Sequence, residues 1–352
     1  DLQEIFIVLM LCCSGAQCVR IFIIELMRSY NFLIVILMSA SIELSSFTEN
    51  TVANGDVDIY YRDYGPSDGD PILLVQGLGG QLINWPEHLI DFLIDNNFRP
   101  IVFDNRDTGK SSRIDDSRFS EGNRAKTINT TYLRYFLRLP IRSPYSLDDM
   151  ANDSILILDQ LKIDKAHLLG ISMGGMIAQI IAANHPDRIK TFTLISSSTA
   201  VPSPLNGPTR SVRKLLMKRS NNPQSSVDER IDRSKKIFAL IGLEGYDLET
   251  EEFYNQSVKS IERSGPDDTG FSRQIMAILA SKNRIKKVKT IQADTLIIHG
   301  KEDPLIKVKN AYKAKKLIKD SKLVIIPEMR HLIEPPVFNQ FKQELLLHLK
   351  DS

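Results

Sequence analysis

Gly170-Ile171-Ser172-Met173-Gly174 constrains this chain more than any other stretch, because a serine stands there between a short apolar run and an apolar helix. Ala166 to Leu169 reads as a buried strand, and Met176, Ile177, Ile180 and Ile181 recur at helical spacing after it. A strand that turns at once into a helix needs a bend so tight that the residues flanking it have no room for side chains. Glycine two positions to either side of the serine meets that need. The serine takes the strained backbone, its hydroxyl projects above the sheet edge, and the helix N-terminus lies beneath it, where negative charge is stabilised. This is the pattern of a nucleophile elbow.

The rest of the chain supplies a sheet for that elbow to stand on. From Thr51 the pattern predicts a hairpin, with Val52-Ala53 and Val57–Tyr61 joined through Asn54-Gly55-Asp56. Apolar runs follow at 72–75, 101–103, 166–169, 192–195, 295–298 and 323–326, with helices at 86–95 and from Ser146 to Leu161. Five of the runs do not alternate with polar residues, as expected of parallel strands covered on both faces. Strands alternating with helices predict a doubly wound α/β sheet. Two segments break the alternation. Residues 113–145 mix charge with Tyr132, Tyr135, Phe136 and Leu139, and are expected to form a lid-like insertion. Residues 199–284 are expected to form a helical cap whose inner faces carry Leu215, Ile237, Phe238, Leu240, Ile241, Phe253 and Tyr254. The core is then 48–198 together with 285–352. Both excursions should pass over the C-terminal edge of the sheet, where such folds bind ligands. The run Tyr132–Arg138 is read as packing onto its own core in preference to touching lipid.

A serine hydroxyl is a weak nucleophile; it needs a base, and the base needs a carboxylate to orient it. Along this fold the order should be serine, acid, histidine, each just past a strand. The run 295–298 leads into His299-Gly300-Lys301-Glu302-Asp303-Pro304, and 323–326 leads into Pro327-Glu328-Met329-Arg330-His331. Asp303 is preferred to Glu302 because Pro304 fixes its backbone in a turn. His331 is the one histidine in a loop after the last strand, whereas His88, His167, His185, His299 and His348 fall on helices, strands or their ends. The reaction also needs backbone N–H groups aimed at the developing oxyanion. Met173, just after the serine, and Leu78, within Gln76-Gly77-Leu78-Gly79-Gly80, are assigned that role; the glycines let this loop approach closely. The loop 104–111 is read as bracing the site from behind. Trp85 is assigned either to the pocket wall or to the core.

Composition sets the partners. Forty-five Lys and Arg against 43 Asp and Glu leave a net charge of +2, which points to no nucleic-acid partner, and the basic cluster from Lys282 to Lys289 reads as a solvated face. All three cysteines lie within the first 18 residues, so the remainder can hold no disulfide and no thiolate metal site. Residues 1–47 read as an apolar leader or a non-native extension, too interrupted by charge for stable membrane insertion. A start at Met38 would make the protein cytoplasmic, the preferred reading; a start at Met27 would make the segment a secretory signal.

Over residues 50–350 these motifs together resemble the α/β-hydrolase superfamily, and the glycine loop with Trp85-Pro86 and the Asp104–Ser112 loop resembles its branch of aclacinomycin methylesterase and small esterases. The resemblance implies a mostly parallel eight-stranded sheet with helices on both faces and a helical cap. It implies Ser172, Asp303 and His331 as nucleophile, acid and base, Leu78 and Met173 as oxyanion donors, and an ester cleaved without metal or cofactor. Many relatives carry histidine where Gln76 stands, and glycine where Glu328 and Arg330 stand. Two further expectations stay open: an amidase, iminopeptidase-like peptidase or acyltransferase on the same fold, and a non-catalytic binding protein. A peptidase would place cap carboxylates such as Glu244, Glu249 or Glu251 at the substrate amine.

Overall fold

Alternation within each apolar run explains how the sheet is covered. Ile72 and Leu74 face one side with Val102, Leu169 and Ile298, while Leu73 and Val75 face the other with Ile101, Leu168 and Ile297. A strand apolar on both faces is stable only between two helical layers, and that is the arrangement found. The computed structural model describes residues 47–120, 122–201, 207–219, 226–265, 269–281 and 284–350. Of the leader expected over residues 1–47, with its Met27 and Met38 alternatives, only Phe47 falls among the described residues, where it opens the first strand.

In chain order, β1 (Phe47–Asn54) and β2 (Val57–Tyr64) form the hairpin, and β3 (Asp70–Val75) leads through α1 (Glu87–Asp95) to β4 (Phe98–Phe103). Helices α2 (Arg124–Phe136) and α3 (Leu147–Gln160) precede β5 (Ala166–Ile171), α4 (Met173–Asn184) and β6 (Ile189–Ile195). Next come α5 (Arg210–Arg219), α6 (Val227–Ile241), α7 (Glu251–Ser264), α8 (Thr269–Ala280) and α9 (Ile285–Val288). The chain then returns through β7 (Asp294–Gly300), α10 (Lys309–Leu317), β8 (Lys322–Ile326), α11 (Pro335–Phe338) and α12 (Lys342–Lys350).

The eight strands lie in the order β1-β2-β4-β3-β5-β6-β7-β8. The β1–β2 and β2–β4 pairs are antiparallel and all the others parallel. The chain therefore moves outward from β3 to β4, then crosses back to place β5 on the other side of β3. Loops leaving β3 and β5 diverge at this reversal, and the crevice between them is where such a sheet offers a binding site. One face is covered by α3, α4 and α10, through residues such as Leu158, Ile177 and Ala311, and the other by α1 and α12, through Leu89 and Leu345.

Local signals account for the element ends. Gly55, at φ +61°, is the first residue of the two-residue hairpin turn. Ser146 caps α3 in a reciprocal box with Asp149, each side chain accepting the other's backbone N–H. A buried bidentate pair then fixes α3 against the loop after β4: Arg106 Nε and Nη2 donate to Asp153 at 2.8 and 2.6 Å. Asp153 also accepts from Asn54 Nδ2 at 2.7 Å, which ties in the hairpin. Asp153→Ala should strand the Arg106 guanidinium and cost about 3–5 kcal/mol in urea unfolding, whereas the double change Arg106→Met/Asp153→Leu should cost less than either single loss.

Candidate active site

Ser172 sits between β5 and α4 at φ 55°, ψ −120°, a conformation that costs a non-glycine residue energy and is held only by its surroundings. The surroundings are specific. Its N–H donates to Ile195 O at 3.0 Å, and its carbonyl accepts Ser197 Oγ at 2.6 Å and Met176 N–H at 3.2 Å. A Cβ on Gly174 would overlap the Val75 carbonyl oxygen, and one on Gly170 would come within 2.6 Å of Gly174 O. Both glycines are thus required by close backbone approach. The loop after β3 runs alongside, with the Gly77 Cβ position 3.2 Å from Ser172 Cβ.

Asp303 and His331 come from the loops after β7 and β8 and meet directly: His331 Nδ1 lies 2.7 Å from Asp303 Oδ2. The other carboxylate oxygen accepts the N–H groups of Leu305 and Ile306, each at 2.8 Å, so the aspartate cannot rotate away. His299, assigned to a structural place at its strand end, also touches this pair. Its Nε2 lies 2.6 Å from Ile306 O and 3.5 Å from Asp303 Oδ2. Burial lowers the His299 pKa, with neighbouring Asp303 acting in the opposite sense, so the ring is held toward its neutral form.

The glycine loop is organised by two amides, Gln76 and Gln274. Gln76 Oε1 accepts the Gly77 N–H at 2.8 Å, and Gln274 Oε1, reaching in from α8, accepts the Gly79 N–H at 2.8 Å. Gly80 N–H bonds back to Gly77 O at 3.1 Å. Between these, the N–H groups of Leu78 and Met173 have no acceptor among the described residues. Gln274 Nε2 completes its fixation by donating to Arg106 O at 2.9 Å.

Three groups of contacts tie the helices between β6 and β7 into the site. Arg273 of α8 grips Asp107 at 2.9 and 2.6 Å, and Arg263 of α7 meets Asp104 at 2.6 Å, inside the loop expected to brace the site. On the far side, His331 N–H donates to Ile241 O at 2.8 Å and Leu243 N–H donates to Glu334 Oε1 at 2.7 Å. Arg330 pairs with Glu244 at 2.7 Å beyond the end of α6. Burial raises the Glu334 pKa, opposed by the Leu243 N–H. Finally Arg284 donates to Ser198 O at 3.0 Å and to Ala200 O, and burial pulls its pKa down to about 10.

These elements enclose a cavity of about 1170 Å³, lined by Ser172, His331, Leu78 and Met173 together. Asp303 stands behind His331, out of the lining. No hydrogen bond joins Ser172 Oγ to His331 Nε2 in this structure; the two share the cavity wall. Trp85 both lines the cavity and packs in the core around Ile72 and Leu89. Ile237, Phe238, Ile241 and Phe253 line it as their inner-face assignment expects, whereas Leu215 and Leu240 stand outside the lining and Tyr254 is 44 % exposed and outside it too. Sequence missed Gln274, Ser197 and the Arg330–Glu244 contact, because each joins residues distant in the chain and none carries a local motif. Among the described residues no cluster of His, Cys, Asp or Glu is placed to hold a metal ion.

A family model described as the alpha/beta hydrolase fold matches residues 70–333, three quarters of the chain. The chain belongs to the α/β-hydrolase family. Among the relatives of this hydrolase, rhodomycin D methylesterase DnrP of Streptomyces peucetius is 22 % identical over 314 residues, covering 85 % of this chain and 97 % of that protein. The bifunctional esterase/perhydrolase DCH of Acinetobacter calcoaceticus is also 22 % identical, covering 84 % of this chain and 96 % of its own. Among solved structures, the enol-lactonase of Burkholderia xenovorans superposes with a TM-score of 0.63 at 19 % identity, over 85 % of this chain and 99 % of that one, which shows the shared fold.

Burial holds the pKa of this hydrolase's His88, His167, His185, His299 and His348 below the ordinary value. Each of them binds its proton less tightly folded than unfolded, so unfolding takes up protons below about pH 6.5. Their stabilisation is complete above that value and is lost as the pH falls through it toward the lower folded values. Thermal unfolding between pH 8 and 5 (values chosen to bracket ~6.5) should show a falling Tm with a downward break near the histidine range, and His167→Gln should soften the break.

Proposed function

We propose that the chain is a serine hydrolase of carboxylic esters, working through an acyl-enzyme. Ser172 Oγ attacks the ester carbonyl carbon while His331 Nε2 takes the hydroxyl proton, and Asp303 holds the ring and stabilises the imidazolium. The carbonyl oxygen becomes an oxyanion between the N–H groups of Leu78 and Met173. Collapse breaks the carbon–oxygen bond, and His331 returns its proton to the departing alcohol. A water molecule, deprotonated by His331, then attacks the acyl carbon and releases the acid, restoring the serine.

The observation that carries this reading is the 2.7 Å Asp303–His331 hydrogen bond beside a cavity that His331 shares with a serine held at positive φ. Leu78 and Met173, which line the same cavity with no acceptor for their N–H groups among the described residues, support it, and so do the methylesterase and esterase relatives. None of the three carboxylates singled out for a peptidase lines the cavity: Glu244 pairs with Arg330, Glu249 pairs with Lys235, and Glu251 stands outside the lining. Glu87, Asp91, Asp247, Glu252 and Glu334 do line it, so amino-acyl p-nitroanilides are the right comparison against simple p-nitrophenyl esters.

Ser172→Ala should lower kcat on p-nitrophenyl butyrate by up to ~10⁶-fold and abolish labelling by a fluorophosphonate probe. Retained turnover in that variant removes Ser172 from the mechanism. Gln274→Leu frees the Gly79 N–H and loosens the loop carrying the Leu78 donor. It should reduce kcat by up to ~10²-fold with KM nearly unchanged, and Gln274→Glu, which keeps the acceptor, should recover part of the loss.

A further inference from the structure

Helix α2 has two faces of opposite character. Its inner face is anchored: Ile128 and Tyr132 pack with Phe119 and with Met276 of α8, and burial pushes the Tyr132 hydroxyl up to about 12. Tyr132, Tyr135 and Phe136 form part of the cavity wall. The outer face and the turn after it expose large apolar side chains together: Leu133 is 58 % exposed, Phe136 50 %, Leu137 59 % and Leu139 45 %. Sequence assigned the whole Tyr132–Arg138 run to packing on the core; the structure divides it, and half remains uncovered. Isolated exposed leucines need no explanation, but four large apolar groups within seven residues form a patch.

The charge along this segment has one sign. Between Gly122 and Leu147 the chain carries Arg124, Lys126, Arg134, Arg138 and Arg142 and no carboxylate. Among the described residues, Lys126, Arg134, Arg138 and Arg142 form no ion pair; Arg134 Nε is used locally, on Pro140 O at 2.6 Å. Lys126 lies two helical turns before Leu133 on the same outer face, and Arg138 and Arg142 are exposed beside Leu137 and Leu139.

We propose that this tip of α2 docks on an anionic lipid surface, with the leucines entering the interface and the cations meeting the headgroups. Apolar side chains rimmed by lysine and arginine are the combination that binds such a surface. A second copy of the chain is a poorer occupant, since symmetric pairing would oppose two clusters of like charge across an apolar contact. Because Phe136 belongs both to the exposed tip and to the cavity wall, docking sets the cavity's rim against the lipid. Among the described residues no helix is long and apolar enough to cross a membrane, so the contact is peripheral. The proposal does not depend on the hydrolase chemistry.

The test is sedimentation of the full chain with phosphatidylcholine vesicles, with and without phosphatidylglycerol. The wild-type chain is expected to bind the anionic vesicles and to be released by salt, since exposed charges are screened. Leu133→Ser/Leu137→Ser/Leu139→Ser and, separately, Arg138→Ser/Arg142→Ser should each weaken partitioning roughly tenfold or more. None of these five residues lines the cavity, so Tm and turnover of a water-soluble ester should stay at wild-type values. Ser172→Ala should bind vesicles as the wild type does, which separates failure of docking from failure of the catalytic reading. Equal binding of the variants, including binding carried by residues 1–46, overturns the proposal. So does equal binding to neutral and anionic vesicles, absence of binding, or a dimer in analytical ultracentrifugation that the leucine changes abolish.

Discussion

The structure turns on a backbone contact at the centre of the sheet, where α4 starts so close to the end of β3 that Gly174 lies against the Val75 carbonyl oxygen. A side chain there would push the helix away from the strand. With the helix pressed in, β5 must reverse direction within one residue, and Ser172 takes up the strained conformation. The strain is offset by bonds to Ile195 O, Ser197 Oγ and Met176 N–H, all well inside the fold. The same contact brings the glycine loop alongside the serine. Nucleophile, helix terminus and loop are therefore positioned by one packing event, and the sheet reversal between β3 and β5 provides the crevice in which it occurs.

The helices between β6 and β7 are part of this arrangement. Helix α8 contributes Gln274 to the glycine loop and Arg273 to Asp107, while the end of α6 accepts the His331 N–H. Arg284 joins the chain segments entering and leaving these helices by donating to Ser198 and Ala200 carbonyls. Displacing these helices would disturb both the loop proposed to hold the oxyanion and the loop carrying the proposed base. Exchanging them for the equivalent segment of a relative would require the contacts at Asp107, Gly79 and Glu334 to be carried over too.

Much of this was legible in the chain because it is written locally. Short non-alternating runs gave the parallel strands, Asn54-Gly55-Asp56 gave the hairpin, and the spacing of glycine about Ser172 gave the elbow. Asp303 and His331 could be singled out because each follows an apolar run and the fold orders them along the chain. What escaped was the supporting hydrogen bonding. Gln274 is one polar residue in an otherwise ordinary helix, 195 positions from the glycine whose N–H it accepts. Arg330 and Glu244 are 86 positions apart and carry no signal until the loops meet. His299 was assigned from its strand position alone, which says nothing of the Asp303 carboxylate four residues on. The outward face of α2 was misjudged for another reason: apolar periodicity shows that a helix has a face to cover, but not how wide a stripe its neighbours will cover.

The choice of amides around the glycine loop has its own consequence. Gln76 and Gln274 accept the N–H groups on either side of Leu78, and neither side chain gains or loses a proton in water under ordinary conditions. A histidine in the place of Gln76 would change from acceptor to donor on protonation, and the Gly77 N–H would lose its partner. With carboxamides on both flanks, the loop keeps its shape through mild acidification even as the buried imidazoles elsewhere become a burden on the fold.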